Sequence, residues 1–285
     1  MIRQLAILGV GLIGGSLARA LRQAGACERI VGYGRNQENL KKAVELGVID
    51  DYFDNPADAV KGSDMVVLAV PLGAISGVVA AIAEHLSADA IITDVGSAKQ
   101  SVVDAVTAGL GASLTQFVPG HPIAGTEQSG VEASFATLFD QRRVILTPLP
   151  ESSDQAVNKV RQMWQETGAE VVDMSISHHD DVLAATSHLP HILAYTLVDL
   201  LVGMDEKTDI FRFAAGGFRD FTRIASSSPE MWRDICINNK LAILPILEQY
   251  EQALASVRQV IEKDDSQALL ELFTRAKTSR DGFVG

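Results

Sequence analysis

The stretch "LAILGVGLIGGSLARAL", Leu5–Leu21, constrains the fold more than any other part of this sequence. An apolar run meets Gly9, Gly11 and Gly14 in G-x-G-x-x-G spacing, and apolar residues then recur at helical intervals. A strand that turns through glycines into a helix opens a βαβ unit. The three glycines serve a tight turn, a close backbone approach to a pyrophosphate, and close packing of helix on strand. The first turn of such a helix presents N–H groups without intrahelical acceptors and the positive end of the helix dipole, which suits phosphate. The segment therefore predicts a dinucleotide site at the carboxyl end of a first parallel strand.

The rest of the first half agrees. Strand patterns occupy Gln4–Gly9, Arg29–Tyr33, Met65–Val70, Ala90–Val95, Gln116–Val118, Arg143–Thr147 and Glu170–Met174. Helical patterns fill Ile13–Ala24, Gln37–Leu46, Ala74–His85, Lys99–Ala108 and Ser153–Thr167. The alternation predicts a Rossmann-type, doubly wound parallel sheet of the α/β class. After Met174 the strand pattern stops. "SHHDDVLAATSHLPHILAYTLVDLLVGM" reads as a long apolar helix or a pair, "SSPEMWRDICINNKLAILPILEQYEQALASVRQVIEKD" as a helix kinked at Pro245, and Ser266–Lys277 as a last helix. The expected division is residues 1–174, a dinucleotide-binding domain, and 175–285, an all-helical substrate and dimerisation domain.

Composition narrows the classes of partner. The uncharged run Met65–Ala83 is interrupted by Pro71, Gly73 and Gly77, so it reads as a buried strand followed by a packed helix, not a membrane span. The opening "MIRQLAILGVG" enters a strand directly, without the pattern of a signal peptide. A formal net charge of -12 disfavours nucleic acid and anionic membrane as partners. Cys27 and Cys236 stand far apart without ligand-like spacing, so no metal is expected and the setting reads as cytoplasmic.

Several patches carry candidate chemistry. "PGHPIAGTEQSG" mounts His121 and Glu127 on a loop braced by glycine and proline, a setting for proton transfer and polar recognition. "ITDVGSAK" places Ser97 just past a strand, at the sheet edge where ligands bind in open α/β folds; its hydroxyl also suits capping of the next helix. "TSHLPH" puts His188 and His191 in an apolar helix, where a histidine is otherwise a satisfied core residue. "GGFRDFTRIASSSPEMWRDI" sets Arg219 and Arg223 on one face if helical, with a surface ion-pair set as the plain alternative.

Taken in order, "GVGLIGGSLARAL", "TDVGSAK", "PGHPIAGTEQSGVEAS", "VILTP", "TSHLPH" and "GGFRDFTRIASSSPEMWRDI" resemble the prephenate/arogenate (cyclohexadienyl) dehydrogenase family of tyrosine biosynthesis over nearly the whole chain. The resemblance implies oxidation of a ring hydroxyl by hydride transfer to a nicotinamide, with loss of the ring carboxylate as carbon dioxide. It makes His121 the base on that hydroxyl and Ser97 its hydrogen-bonded neighbour. It assigns Arg223 to a substrate carboxylate, with Arg219 beside it, His188 to the substrate side chain, and Glu127 to the pocket wall. It also implies a homodimer joined through the helical domain. The residues expected at the dinucleotide are Gly9, Gly11, Leu12, Ile13, Gly14, Gly34, Arg35, Val70, Pro71 and Ser97.

Cofactor and substrate choice stay open. An NAD site usually carries a carboxylate at the end of the second strand, bonded to the ribose hydroxyls. Here Gly34 stands in that place, followed by Arg35, which would suit the 2′-phosphate of NADP. Glu127 would pair with the ammonium of arogenate, whereas prephenate has a keto group there. Two other classes compete. A β-hydroxyacid-type dehydrogenase would need a catalytic lysine in the helical domain, and Lys207 and Lys240 lack its glycine-rich context. A non-catalytic NAD(P) sensor would need none of His121, Ser97 and Arg223.

Overall fold

The computed structural model describes residues 1–204 and 207–284, which divide into two compact units, Met1–Lys240 and Leu241–Gly285. In the first, six strands build a parallel sheet: β1 (Ile2–Leu8), β2 (Cys27–Tyr33), β3 (Asp51–Phe53), β4 (Met65–Leu68), β5 (Ile91–Asp94) and β6 (Phe117–Val118). Their spatial order is β3-β2-β1-β4-β5-β6. Between them run α1 (Leu12–Gln23), α2 (Gln37–Glu45), α3 (Pro56–Ala59), α4 (Ile75–Ile82) and α5 (Lys99–Leu110).

The inner parts of the strands, Leu5–Leu8, Ile30–Val31 and Met65–Leu68, are apolar and buried because both faces are covered. Leu5, Ile7, Met65 and Val67 join one core with Leu17 and Leu21 of α1, whereas Ala6, Leu8, Val66 and Leu68 join the other with Val79 and Ile82 of α4. The period of two along each strand thus divides its side chains between two cores. The order reverses between β1 and β4, so the loops leaving β1, β4 and β5 lie side by side at one edge, the usual ligand-binding place in such sheets.

A second, smaller sheet holds β7 (Gly120–Pro122), β8 (Arg143–Leu146) and β9 (Glu170–Asp173) in the order β7-β8-β9. The β7–β8 pair is antiparallel, with His121 opposite Ile145, and β8–β9 is parallel. The strand patterns at Arg143 and Glu170 therefore do not extend the six-stranded sheet. Pro119 alone separates β6 from β7, and its carbonyl accepts from Thr147 N at 3.0 Å, which turns the chain into the second sheet. Helix α6 (Asp154–Gln165) connects β8 to β9 and is capped by Ser153. The short pieces β3, α3 and β7 carry too few residues for a periodic signal and were not legible in the sequence.

The remaining helices of this unit are α7 (Ile176–Leu183), α8 (Leu189–Val202), α9 (Lys207–Arg212), α10 (Gly216–Thr222) and α11 (Pro229–Asn238). A π-helical turn, Ala184–His188, joins α7 to α8. The helix expected to kink at Pro245 instead breaks at Asn239, whose backbone leaves helical geometry. Helix α12 (Lys240–Glu262) then runs through Pro245. In the unit Leu241–Gly285, α12 is followed by α13 (Ser266–Val284), with Asp264 at positive φ between them.

Candidate active site

The glycine loop divides its work as the spacing predicts. Gly9 turns at φ +112°, where a β-carbon would also collide with the Ala69 carbonyl beyond β4. A β-carbon on Gly14 would meet the Gly9 carbonyl and, at 2.8 Å, the Ile7 side chain, so helix α1 can lie close on β1 only with glycine there. Gly11 has no atom within 4 Å of its would-be β-carbon, and as N-cap of α1 it leaves the first-turn N–H groups of Leu12 and Ile13 without a side-chain cap. Asn39 secures this loop. Its Nδ2 donates to the Val10 carbonyl at 2.7 Å, and its Oδ1 accepts from Val131 N at 3.0 Å.

His121, on β7, is only 8% exposed. Its Nδ1 lies 2.9 Å from Nε2 of His179, and Nδ1 of His179 lies 2.8 Å from Oδ1 of Asp180. The two rings meet edge to face. Asp180 also accepts from the backbone N–H groups of Lys99 (2.8 Å) and Gln100 (2.9 Å), which caps α5 from the side of α7. Ser97, half-buried in the loop between β5 and α5, is therefore not the cap of that helix; Ala98 holds the N-cap position and the carboxylate comes from Asp180.

A buried ion pair fastens the two loops to each other. Asp94 Oδ2 accepts from Gly96 N at 2.7 Å and Oδ1 from Gly120 N at 3.1 Å, so one carboxylate bridges the residues preceding Ser97 and His121. Lys99 Nζ pairs with Asp94 and donates to the Gly120 carbonyl. Burial lowers the Lys99 ammonium from its ordinary value against the attraction of Asp94 and Asp180.

Burial likewise drives His121 well below the usual imidazole range, with His179, Lys99 and His188 adding to the shift. His179 is lowered by burial despite its bond to Asp180. Burial opposes the charge on Asp180, but the hydrogen bonds from His179, Lys99 and Gln100 outweigh it and hold the carboxyl below its ordinary value. These imidazoles are therefore neutral at pH 7, and a neutral imidazole can take a proton.

His188 sits at the end of the π-helical turn, 1% exposed, and burial lowers it to about 4. Asn239 Nδ2 lies 3.0 Å from both His188 Nδ1 and the Asp180 carbonyl. A donor at Nδ1 puts the His188 proton on Nε2, a buried atom without a partner among the described residues. His191 is half-buried and stacks on Trp232 with ring centroids 3.6 Å apart. Trp232 and Asp234 share α11, and Asp234 accepts from Gly73 N at 3.2 Å, which ties this helix to the segment after Val70 and Pro71.

Arg223 lies just past α10, largely open to solvent, and forms an ion pair with the partly exposed Glu127. Arg219 is exposed on α10, and Arg223 follows the end of that helix as its C-cap, with its backbone still in helical geometry. Arg35 is exposed and precedes Asn36, the side-chain cap of α2; the nearest neighbours of a β-carbon on Gly34 would be Leu40 side-chain atoms, at ordinary distances. The side chain of Lys207 lies outside the described residues.

Sequence reasoning missed His179, Asp180, Lys99, Asp94, Asn39 and Asn239. Some signal was present. Asp94 and Lys99 are charges flanking Ser97 at the end of a buried strand, and "SHHDD" sets imidazole beside carboxylate ahead of an apolar helix.

A Rossmann-like sheet with a glycine loop at its carboxyl edge, a buried imidazole tied through Gly120 to Asp94 of β5, and the chain's relatives place it among nucleotide-binding oxidoreductases. Residues 17–173 match the family model described as prephenate dehydrogenase, nucleotide-binding domain, and residues 175–275 match prephenate dehydrogenase, dimerization domain. A cyclohexadienyl dehydrogenase of Zymomonas mobilis is 40% identical, over 98% of this chain and 96% of its own length. A prephenate dehydrogenase of Bacillus subtilis is 41% identical, over 97% of this chain and 75% of its own. Among solved structures, prephenate dehydrogenase of Aquifex aeolicus in complex with hydroxyphenyl propionate and NAD+ superposes with a TM-score of 0.91 at 38% identity, covering 98% of both chains. Synechocystis arogenate dehydrogenase gives 0.81 at 27%, covering 98% of this chain and 99% of its own. The chain belongs to the prephenate dehydrogenase family.

Proposed function

We propose that this chain oxidises and decarboxylates prephenate, arogenate or both with NAD(P)+, on the route to tyrosine, and that His121 is the base. The observation that carries this reading is the His121 imidazole: buried, neutral, bonded through Nδ1 to His179, and fastened by Asp94 to the loop that holds Ser97. The glycine loop suits a dinucleotide, because Gly11 leaves open space where a pyrophosphate would approach the uncapped first turn of α1. Gly9, Gly11, Leu12, Ile13 and Gly14 would hold the phosphates, with Gly34, Arg35, Val70, Pro71 and Ser97 around the remainder. Bound there, the nicotinamide supplies the acceptor for a hydride.

The chain's own residues do the rest. His121 takes the ring hydroxyl proton as hydride leaves the same carbon, and Ser97 orients that hydroxyl. Such a base contributes about 10²–10⁴ in rate. The electron pair of the breaking carbon–carboxylate bond enters the ring, which becomes aromatic as carbon dioxide departs, and the ring oxygen takes its proton back from His121 to give the phenol. Arg223 offers a planar fork to a substrate carboxylate, with Arg219 adding positive charge nearby. His188 has an unpaired Nε2–H for a substrate oxygen, and Glu127 lines the entrance and favours the ammonium of arogenate.

Residues 1–174 would then bind dinucleotide and 175–285 would bind substrate and pair two copies into a homodimer. Support for pairing comes from exposed apolar side chains in the second unit, among them Leu241, Leu270, Phe273 and Phe283. The free thiols Cys27 and Cys236 suit a reducing compartment, the cytoplasm. The deciding experiment supplies the purified protein with prephenate and arogenate, each with NAD+ and with NADP+, alongside His121→Asn. Turnover of at least one pair, and a kcat lower by about 10²-fold in the variant, is expected. No turnover of either substrate would reject the reading, and sedimentation as a monomer at micromolar concentration would reject the dimer.

A further inference from the structure

We infer that His179 and Asp180 are positioning residues that hold His121 in a single tautomer, with the proton on Nδ1 and the lone pair on Nε2, and that the N-terminus of α5 anchors them. The inference rests on the reading of His121 as the base.

The order of donors along the chain forces the assignment. Asp180 accepts two backbone N–H groups, from Lys99 and Gln100, at 2.8 and 2.9 Å. Those N–H groups belong to the first turn of α5, whose N-cap residue Ala98 supplies no side-chain acceptor, and a carboxylate there is favoured as an anion. An ionised carboxylate only accepts, so the 2.8 Å contact with His179 requires the proton on Nδ1 of His179. The neutral His179 ring then has its lone pair on Nε2. That lone pair faces His121 Nδ1 at 2.9 Å, so His121 must donate from Nδ1. The only nitrogen left to His121 as an acceptor is Nε2, the atom not used in the chain of contacts.

This logic resembles that of a catalytic triad, in which a carboxylate fixes the tautomer of a general base; here a second imidazole stands between carboxylate and base. The chain also ends blind. Both Asp180 oxygens are bonded to backbone amides, and His179 is wholly buried, so the arrangement holds a tautomer and offers no route for a proton to solvent. A proton taken up at Nε2 therefore leaves on the substrate side. Asn239 secures the far end by donating to the Asp180 carbonyl at 3.0 Å.

The test combines ring-nitrogen NMR of ¹⁵N-histidine-labelled protein, without substrate or cofactor, with kinetics of two variants. His121→Asn assigns the His121 signals. In wild type at pH 7, His121 should be protonated at Nδ1 and unprotonated at Nε2. In His179→Leu, which removes the acceptor, its signals should move to a mixture of tautomers, and kcat should fall by about tenfold or more while the KM for cofactor holds. His179→Gln can present its amide oxygen to Nδ1–H and should recover the tautomer and most of the lost kcat. A wild-type His121 protonated at Nε2 would overturn the positioning role, and this result needs no His179 variant to fold. Unchanged tautomer and kcat in His179→Leu would overturn it too. Full activity of His121→Asn would instead remove the base assignment on which the inference rests.

Discussion

Lys99 Nζ, wholly buried, donates to the carbonyl oxygen of Gly120 at 2.6 Å, so the ammonium sits under the residue that immediately precedes His121. The same ammonium neutralises Asp94, whose two oxygens hold Gly96 N and Gly120 N. One buried pair thus fixes both the Ser97 loop and the start of β7. Removing one partner of such a pair leaves an uncompensated charge and costs about 3–5 kcal/mol, whereas removing both costs less. Lys99→Met should therefore lower unfolding free energy in urea by about that amount, and adding Asp94→Asn should recover part of it. A loss under about 1 kcal/mol for Lys99→Met would show the pair to be dispensable.

The pH profile of the free enzyme follows from the neutral state of His121. Because burial holds it well below the ordinary imidazole value of 6.5, the acid limb of kcat/KM, which reports groups on the free enzyme, should lie below pH 6.5. An acid limb centred at or above pH 6.5 would contradict the buried, neutral base.

Stability should respond to acid through His188. Its pKa falls from 6.5 in the unfolded chain to about 4 in the folded one. Between those values the unfolded state takes up a proton that the folded state does not, so stability falls as pH drops through 6.5 and levels off near 4. Above pH 6.5 the contribution is complete. The loss from this one group is roughly 3 kcal/mol at about 1.4 kcal/mol for each pH unit. Urea titrations at pH 7 and pH 5 on wild type and His188→Gln check it: the variant should show a distinctly smaller pH dependence.

Cofactor choice turns on Gly34 and Arg35. If the exposed Arg35 contacts a 2′-phosphate, a charge-assisted bond of about 1.5–3 kcal/mol should favour NADP+ by roughly ten- to a hundredfold. Arg35→Ala should erase most of that preference. Gly34→Asp has room for its β-carbon, whose nearest neighbours would be Leu40 atoms at 3.6–3.9 Å, and should turn the preference toward NAD+. A wild type that prefers NAD+, with both KM values unchanged in Arg35→Ala, would leave Arg35 as a solvated surface residue.

The Arg223–Glu127 pair separates binding from stability. The side chains are 63% and 36% exposed, so solvent screens the pair and it should contribute under about 1 kcal/mol to folding. Arg223→Ala should raise the KM for substrate by about tenfold or more, as loss of a charge-assisted bond to a carboxylate does, with the urea midpoint nearly unchanged. An unchanged substrate KM would remove Arg223 from the binding site.

Much of the fold was legible because its signals are local. The spacing of Gly9, Gly11 and Gly14 demanded a strand-to-helix turn, and the apolar runs at Leu5–Leu8 and Met65–Leu68 demanded a sheet covered on both faces. His121 stood out because an imidazole between proline and glycines has no turn-forming purpose. What escaped were the elements too short to show a period, β3, α3 and β7, and the assignment of β8 and β9 to a second sheet. Strand propensity does not say which partner a strand will find.

The amino-acid sequence by itself determined the nucleotide-binding half, the change to helices after Met174, the position of the candidate base and the family. Each follows from periodicity or from motifs contiguous in the chain. Only the tertiary structure decided what surrounds the base. His179 and Asp180 lie 58 and 59 residues beyond His121 and, in the sequence, belong to the start of an apolar helix. Folding alone brings them against β7 and the first turn of α5, where Asp180 takes the capping role that the Ser97 hydroxyl also suited. The physical reason is that donors and acceptors in a buried site must be satisfied wherever a partner lies in space, and that distance is not written in the spacing of residues along the chain.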